Sequence, residues 1–388
     1  MKILSTILAV ALLAINADAG AQTSAAPVLS PLAPFTSDGF KVPQPGPQFV
    51  FPRDHGSHPE FKIEWWYFTG HLWGPDKERY GFQVTFFRRS GAPASTPSHA
   101  GSERFQTSEI NLLHVALMDE RSGKFIYQEH LARTGWEAQS RVGSLYVRHG
   151  DTSATMDNTG EETISLDARI RNEASLLLKL KPSKPLVVFG ENGVSRKGDS
   201  STAASWYLTY PRLAATGFLV RGESQIPVTG QVWMDHEISS SQLTEDQVGW
   251  DWAGIQLEDG REIMSYRLRR KDGTTDPASN LVWVEQNGKL THQSPDTFRW
   301  LSSGVWKSRY SGATYPLPAG IRTIDPKSGK EIELRLEPIL MNQELQSPLT
   351  GIPYWEGACR VMQEGKPIGS AYVELTGYAG GLKRALAP

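Results

Sequence analysis

The sequence of 388 residues predicts an all-β protein built from two tandem β-barrel or sandwich domains. Three observations support this prediction: many segments alternate apolar and polar residues, turn signals separate them, and part of the sequence is repeated. Alternation with a period of two is the pattern of antiparallel strands that bury one face. No convincing helical stripe extends beyond about three turns.

The clearest alternation lies in residues 82–86, 164–170 and 332–336, where every second side chain is apolar. Short polar segments that end in glycine separate such stretches, for example Arg121-Ser122-Gly123 and Gln286-Asn287-Gly288. Glycine and asparagine tolerate the positive φ angles that tight hairpin loops require. The pattern therefore predicts strands joined by hairpins.

An internal repeat divides the chain into two similar halves. Three pairs of segments match in the same order: 66–70 with 250–254, 114–127 with 281–292, and 228–235 with 368–374. The shared order disfavours the alternative, a chance likeness among aromatic strands. We expect one β unit over about 49–240 and a second over 245–388. Each is large enough for a barrel of about eight strands whose interior holds one small ligand.

The first 48 residues carry processing and tether signals. Residues 1–21 combine Lys2, an apolar run and the small-x-small site Ala17-Asp18-Ala19, which is typical of a cleavable secretory signal peptide. The run is shorter than a membrane-spanning helix requires. We expect a soluble mature protein in the periplasm or the medium, not an integral membrane protein. Residues 22–48 are rich in proline, alanine and serine, which predicts an extended tether.

Composition excludes several classes of function. The 40 Lys and Arg residues balance 42 Asp and Glu residues, and this near-zero net charge of -2 argues against a nucleic-acid partner. The single cysteine, Cys359, excludes an intramolecular disulfide and a cysteine-based zinc site. The sequence lacks a P-loop, a nucleophile elbow and a dinucleotide-binding glycine motif. Asp54, His55 and His58 give only a weak metal-binding signal, and we predict no metal. No protein partner is indicated.

Candidate site residues fall in short clusters that mix tryptophan with acidic side chains. In Glu64-Trp65-Trp66-Tyr67, strand geometry puts Glu64 and Trp66 on one face and Trp65 and Tyr67 on the other. A tryptophan at a barrel mouth offers a flat apolar face and an N–H donor, so all four are candidate ligand-binding residues. The alternative is that these rings simply fill the barrel.

The second cluster is Trp233-Met234-Asp235-His236-Glu237. Trp233, Asp235 and Glu237 share one strand face, opposite Met234 and His236. A carboxyl between tryptophans is a candidate for a raised pKa and therefore for a general acid. Asp235, His236 and Glu237 are our candidate catalytic residues, and Trp233 is a candidate ligand contact. The alternative is strand-end carboxylates that bond loop amides.

Two further groups complete the candidate site. Trp250-Asp251-Trp252 follows the second cluster closely, so both should lie near the seam between the units, where pockets often form. Tyr210 and Arg212 are additional candidate ligand contacts, as is the C-terminal group Tyr354-Trp355-Glu356. Structural packing is the alternative for each of them.

Together these clusters resemble the AttH and carotenoid 1,2-hydratase (hydroxyneurosporene synthase) family. The resemblance rests on residues 64–70, 233–237, 249–252 and 369–377, and it covers nearly all of the chain beyond the tether. It implies two tandem lipocalin-like β domains with a hydrophobic ligand site. It also implies an exported protein of a group whose substrates are unassigned.

The hydratases of this family add water to a terminal C=C bond of an acyclic carotenoid without a cofactor, and an acidic residue protonates the alkene. The resemblance therefore implies that this chain needs no cofactor. Their Asp-His-Asn-Trp stretch corresponds to Asp235-His236-Glu237-Ile238, so Glu237 and Ile238 replace Asn and Trp. They also use a Tyr and an Asp on the following strand, where this chain offers only Tyr266, the fourth candidate catalytic residue. The chain is therefore more similar to the secreted AttH-like branch.

Three functions remain open from the sequence. The first is an exported protein that binds an isoprenoid- or lipid-like molecule and acts as a cofactor-free hydratase, lyase or hydrolase through an acidic residue. The second is a periplasmic carrier of such a molecule without catalysis. The third is a secreted glycosidase or sugar-binding protein, because tryptophans and carboxylates also suit sugars. A carboxyl that points into an apolar cavity would favour the enzyme over the carrier.

Overall fold

The fold is given by a computed structural model that describes residues 30–93, 109–157 and 162–380. The predicted signal peptide, the start of the tether and residues 381–388 lie outside this part of the chain. Within it there is no α-helix, and the helical element is a short 3-10 helix, η1 (Arg53–His55). The predicted all-β class is confirmed. None of the helical structure described here is long and apolar enough to cross a membrane.

Alternating segments form strands throughout these residues, joined largely by glycine-containing turns. The strands of the first half are β1 (Ile63–Trp73), β2 (Arg79–Arg89), β3 (Ile110–Asp119), β4 (Lys124–Arg133), β5 (Ala138–Ser140), β6 (Tyr146–His149), β7 (Thr152–Asp157), β8 (Thr163–Ile170), β9 (Ala174–Pro182), β10 (Val187–Phe189), β11 (Ser195–Arg196), β12 (Ala204–Arg221) and β13 (Ser224–Ser241).

The strands of the second half are β14 (Gln247–Leu257), β15 (Glu262–Arg270), β16 (Asn280–Val284), β17 (Leu290–Gln293), β18 (Arg299–Ser302), β19 (Trp306–Lys307), β20 (Thr314–Tyr315), β21 (Ala319–Ile324), β22 (Glu331–Pro338), β23 (Glu344–Leu345), β24 (Tyr354–Gln363) and β25 (Lys366–Leu375).

The first half forms one antiparallel sheet in the order β4-β3-β2-β1-β13-β12-β9-β8-β7-β6-β5, and β10 and β11 pair with β12. Strands β3 and β4 pack against β6 and β8 from the other end of this order. The sheet therefore curls into a near-closed barrel, as a strongly twisted sheet of this size must. Its interior is apolar and includes Trp66, Phe68 and Leu166.

The second half forms a separate sheet in the order β17-β16-β15-β14-β25-β24-β22-β21-β18, with β23 on β24 and a small β19-β20 pair apart. Its own apolar core includes Trp283, Leu334 and Trp355. Each half thus buries one face of its sheet around its own core, which is the lipocalin-like arrangement that the family resemblance implies.

The sequence repeat corresponds to a repeat of topology. Strands β1–β4 form a meander with β13 beside β1, and β14–β17 form a meander with β25 beside β14. The three matched pairs of segments occupy equivalent strands: β1 and β14, β3–β4 and β16–β17, and β13 and β25. A third apolar cluster draws side chains from both sheets, among them Tyr67, Trp233, Trp252 and Tyr266. This shared cluster positions the candidate site between the two halves.

Candidate functional site

A cavity of about 180 Å³ lies between the two sheets. Strands β1 and β13 form part of its first wall, because they pair in register and turn alternate residues toward it: Tyr67 lies opposite Asp235 and Trp65 opposite Glu237. The facing wall comes mainly from β14, β15, β24 and β25. The lining residues are Ile63, Trp65, Tyr67, Gln83, Thr85, Phe87, Lys197, Tyr207, Asp235, Glu237, Gln242, Leu243, Trp250, Trp252, Tyr266, Leu268, Tyr354, Glu356 and Glu374.

Asp235 is held by three hydrogen-bond donors. The Thr209 hydroxyl and the Trp233 indole N–H donate to its Oδ1 at 2.5 and 2.8 Å, and the Tyr207 hydroxyl donates to its Oδ2 at 2.8 Å. The Trp252 indole N–H donates in turn to the Tyr207 oxygen at 2.9 Å, which connects the two sheets. The Asp235 carboxyl is therefore fixed in position at the seam.

The same carboxyl is poised to exchange a proton near neutral pH. Burial raises the pKa of Asp235 to about 7, although its donors Thr209, Tyr207 and Trp233 oppose the increase. An apolar environment disfavours the charged form of a carboxyl, so the shift follows from the cavity itself. Perturbed carboxyls in a cleft are typical of functional sites.

Two more carboxyls line the facing wall. Glu356 on β24 and Glu374 on β25 are directly opposite each other across the strand pair. Burial and the neighbouring Glu374 raise the pKa of Glu356 well above its usual value, and burial raises the pKa of Glu374 to about 7. Two carboxyls this close cannot both ionise easily, so this wall presents at least one neutral acid.

One carboxyl in the cavity is paired with a cation. Glu237 forms an ion pair with Lys197 Nζ at 2.9 Å and accepts a hydrogen bond from Gln242 Nε2 at 3.1 Å. The Lys197 ammonium also lies over the rings of Tyr207 and Tyr266, at 4.8 and 4.6 Å from their centroids. This pair therefore supplies fixed, compensated charges rather than a free proton.

The opposite face of β1 and β13 holds a closed ionic cluster. Glu64 is ion-paired with Arg88 at 3.0 Å, and its Oε1 accepts from His58 Nδ1 and His236 Nε2, each at 2.9 Å. Burial alone would raise the pKa of Glu64, but the Arg88 charge and the two imidazoles hold it well below its usual value. The His236 ring stacks on Trp66 with centroids 4.8 Å apart.

The same cluster is the part of the described chain that could hold a metal ion. One ligand atom each from His58, Glu64 and His236 lies within 4.8 Å of the others. Arg88 is nearly fully buried and already neutralises the Glu64 carboxylate. A divalent cation would share that carboxylate with a buried guanidinium, so the donor set suits an ion-paired cluster better than a metal centre.

The structure brings nine of the predicted site residues together in the cavity: Asp235, Glu237, Tyr266, Trp65, Tyr67, Trp250, Trp252, Tyr354 and Glu356. Trp233 lies just behind the wall and contacts Asp235.

Seven predicted site residues lie elsewhere. His236, Glu64 and Trp66 belong to the closed face, because residues alternate along β1 and β13. Alternation likewise turns Asp251 toward Arg267 and Tyr378, and it turns Trp355 into the second core, where its indole donates to Met341 O.

Alternation along β12 turns Tyr210 away from the cavity, because Tyr207 and Thr209 occupy the face that bonds Asp235, and Arg212 lies in the bulge between residues 210 and 213. The Tyr210 side chain enters the first barrel, where its hydroxyl bonds His55 Nε2 and Glu162 at 3.2 Å. Arg212 is ion-paired with Glu262 at 2.6 Å, outside the cavity.

The sequence model of the AttH-like family matches residues 42–378, which is most of the chain. The chain belongs to the AttH-like family. The crystal structure of an AttH protein from Nitrosomonas europaea has 33% identity to this AttH-like chain, a TM-score of 0.76, and coverage of 90% of this chain and 100% of that one.

Two more distant crystal structures share the fold. Kievitone hydratase from Nectria haematococca has 12% identity and a TM-score of 0.64, covering 90% of this chain and 98% of its own. CghA with Sch210972 has 14% identity and a TM-score of 0.55, covering 89% and 98%. No curated protein matches this AttH-like chain.

Sequence reasoning missed several lining residues of this AttH-like cavity. Gln83 and Lys197 reach the cavity through long-range pairing of strands and loops that no local pattern indicates. Glu374 could have been predicted, because residues 368–374 repeat residues 228–235 and Glu374 aligns with Asp235 in that repeat. The repeat is thus the signal that could have identified a second acidic wall.

Proposed function

We propose that this AttH-like protein binds a small apolar molecule and adds water to, or removes water from, a carbon–carbon double bond, with Asp235 exchanging the proton. The observation that carries the proposal is a buried carboxyl with a pKa of about 7 in the wall of a largely apolar cavity. A group whose pKa lies near the working pH can both give and accept a proton.

The entrance supports an apolar ligand. The half-buried lining residues are mostly large and apolar, and they include Trp65, Phe87, Leu243 and Trp250. A cavity of about 180 Å³ is slightly larger than the engineered apolar cavity that binds benzene, so it fits the reacting part of a small molecule. The remainder of a longer ligand would lie along the aromatic entrance.

The carboxyls favour an enzyme over a carrier. A carrier needs the apolar cavity alone, whereas three carboxyls with raised pKa values lower the stability of the empty protein once they ionise. The kievitone hydratase, whose identity is too low to transfer an activity, shows that this fold accommodates a hydratase. Non-catalytic binding remains the second candidate, favoured by the apolar entrance.

Export is part of the proposal. The sequence of residues 1–21 is typical of a signal peptide, and the mature chain would meet its ligand in the periplasm or the medium. Amino-terminal sequencing of the protein recovered from the source cells should begin near residue 22. Recovery of an intact Met1 from the cytoplasmic fraction would contradict export.

The reaction is tested with an apolar extract of the source cells. We expect mass spectrometry to find a co-purifying apolar molecule and a product that differs from it by one water. Asp235→Asn should lower the rate about 100- to 10,000-fold while the ligand still binds, because only proton exchange is lost. Asp272→Asn, on an exposed turn, is the matched control.

Turnover by Asp235→Asn at the wild-type rate would remove Asp235 from the mechanism. A bound apolar molecule whose mass never changes would support the alternative of a non-catalytic carrier. Tight binding of oligosaccharides, with no apolar molecule bound, would instead support the sugar-binding alternative.

A further inference from the structure

Three polar atoms in the cavity wall make no hydrogen bond of ordinary geometry among the described residues: the Tyr67 hydroxyl, Glu356 Oε1 and Gln83 Oε1. The Tyr67 hydroxyl and the Glu356 carboxyl are near enough to interact with each other, so they form a pair in the wall. All three side chains are buried, with exposures of 7%, 1% and 1%. An unsatisfied buried polar atom costs about 1–3 kcal/mol, so such atoms are rare and call for an explanation. Three of them in one small cavity indicate that polar groups of the ligand complete their hydrogen bonds.

Two of the three atoms are donors. Burial, and then the neighbouring Glu356 carboxyl, raise the pKa of Tyr67 well above its usual value, so the phenol keeps its proton. Burial and Glu374 raise the pKa of Glu356 well above its usual value, which favours the protonated carboxyl and its O–H donor. A neutral phenol beside a neutral carboxylic acid is the donor pair that polarises a carbonyl oxygen in ketosteroid isomerase.

The third atom, Gln83 Oε1, is an acceptor. Gln83 Nε2 donates to the Thr85 hydroxyl at 2.7 Å and to the Tyr354 hydroxyl at 3.4 Å, so its amide is fixed with Oε1 as an acceptor. The Tyr67 ring meets the Trp252 ring edge to face, with centroids 5.3 Å apart, which brings the first wall against the second. The donors Tyr67 and Glu356 therefore approach the ligand from different sheets.

Asp235 lies close to the donor Tyr67, so a carbonyl group bound there would be near the proton-exchanging carboxyl. Tyr67 and Asp235 are directly opposite in the β1–β13 ladder, and opposite Cβ atoms in such a pair lie about 4.5–5.5 Å apart. In an unsaturated ketone, one carbon separates the carbonyl oxygen from the carbon that gains a proton. A carbonyl held by Tyr67 would thus place that carbon near Asp235.

The charge of the wall excludes anionic ligands. The wall contains the carboxyls of Asp235, Glu356 and Glu374, whose ionised forms would repel a carboxylate or a phosphate. The lining cation, Lys197, is already paired with Glu237. A neutral oxygen acceptor is the group that two O–H donors without a free cation recognise best.

We infer that Tyr67 and Glu356 form a carbonyl-binding subsite and that the substrate is an apolar α,β-unsaturated ketone or its water adduct. The inference rests on the proposed function and specifies that the reacting C=C bond is conjugated to a carbonyl group. Water attacks the β carbon and forms a C–O bond while Asp235 takes a proton from that water. The π electrons move to the carbonyl oxygen, and the enolate accepts hydrogen bonds from Tyr67 and Glu356. Asp235 then gives its proton to the α carbon and the C=O bond re-forms, so one water is added.

The subsite is tested by binding, without turnover. Cyclohexenone is the probe and cyclohexene the matched apolar control, and infrared spectroscopy follows the C=O stretch of the bound enone. We expect a shift to lower frequency in the wild type. Tyr67→Phe and Glu356→Leu should each reduce the shift and weaken enone affinity about three- to tenfold, with cyclohexene unaffected. Glu356→Gln, which keeps a donor, should restore part of both.

Two controls separate the subsite from the fold and from the proposed reaction. Tyr210→Phe removes a buried phenol hydroxyl outside the cavity and should leave the shift unchanged. Asp235→Asn should keep the shift, because the donors are intact. Thermal unfolding of Tyr67→Phe and Glu356→Leu checks the fold, and a reduced shift in a variant that unfolds at the wild-type temperature is assigned to the subsite.

An unshifted C=O band, or no enone binding, would overturn the subsite. Hydration of an unconjugated alkene that depends on Asp235 would then leave the proposed function standing. Conversely, a shifted band without any Asp235-dependent turnover would keep the subsite and remove the reaction.

Discussion

The two faces of the β1–β13 strand pair bury carboxyls in opposite ways. On one face, Glu64 is enclosed by Arg88, His58 and His236, and its pKa lies well below the usual value. On the other face, Asp235 has only neutral donors, and its pKa rises to about 7. The backbone is shared, so the difference arises from the partners that each side chain meets.

This contrast separates structure from function within one motif. A buried carboxylate that is fully compensated stays charged and holds the chain around it, whereas one in an apolar wall keeps a proton available. Neighbouring residues therefore have different tasks: Trp66 stacks on His236 in the closed cluster, while Trp65 lines the cavity. The strand face on which a residue lies decides whether it belongs to the site, and proximity in sequence does not.

The largest expected effect is on the closed face. Glu64→Gln should lower the free energy of unfolding by about 3–5 kcal/mol, because it leaves Arg88 buried without its main counter-charge. Asp235→Asn should change it by less than about 1 kcal/mol, since its donors are neutral hydroxyls and an indole. Urea unfolding at pH 7 measures both. Glu333→Gln, at an exposed site, is the control for loss of a surface ion pair. Equal losses of unfolding free energy in Glu64→Gln and Asp235→Asn would contradict the difference between the two faces.

The two faces should respond to pH with opposite sign. The raised pKa of Asp235 favours the folded state at low pH, and this contribution is lost as the pH rises through about 7. The lowered pKa of Glu64 gives stability that is present above its usual value of 4.5 and is lost only as the pH falls below it. Between pH 5 and 8, the wild type should lose about 2–3 kcal/mol more stability than Asp235→Asn. Parallel curves would argue against a raised pKa of Asp235.

Much of this arrangement was predictable from the sequence, and the limits have physical causes. Alternation assigned Glu64 and Trp66 to one face of β1 and Trp65 and Tyr67 to the other, and the repeat indicated two similar β units. Alternation could not say which face meets the cavity, because both faces are buried and aromatic. That choice depends on how the second sheet packs against the first. Trp252 and Glu356, which face Tyr67 across the cavity, lie on strands far along the chain from β1.

The adjacent tryptophans give a smaller and finer test. Trp66→Phe should cost about 2 kcal/mol, because the ring stacks on His236 and its N–H donates to His55 O at 3.1 Å. Trp65→Phe should cost less than about 1 kcal/mol, since the side chain is half-buried, and should instead weaken binding of an apolar ligand. Thermal unfolding and ligand titration on the two variants separate these outcomes. A reversed order would mean that Trp65 is the structural residue.

The most direct measurement is a carboxyl-carbon NMR titration of protein labelled at the side-chain carboxyls of Asp and Glu. The Asp235→Asn and Glu356→Gln variants assign two of the signals. We predict that the Asp235 signal titrates near pH 7, that the Glu356 signal titrates well above the ordinary range of Glu, and that Glu64 remains ionised well below pH 4.5. If Asp235 and Glu64 instead titrated together near the ordinary carboxyl range, the two faces would be chemically alike and the cavity would contain no poised acid.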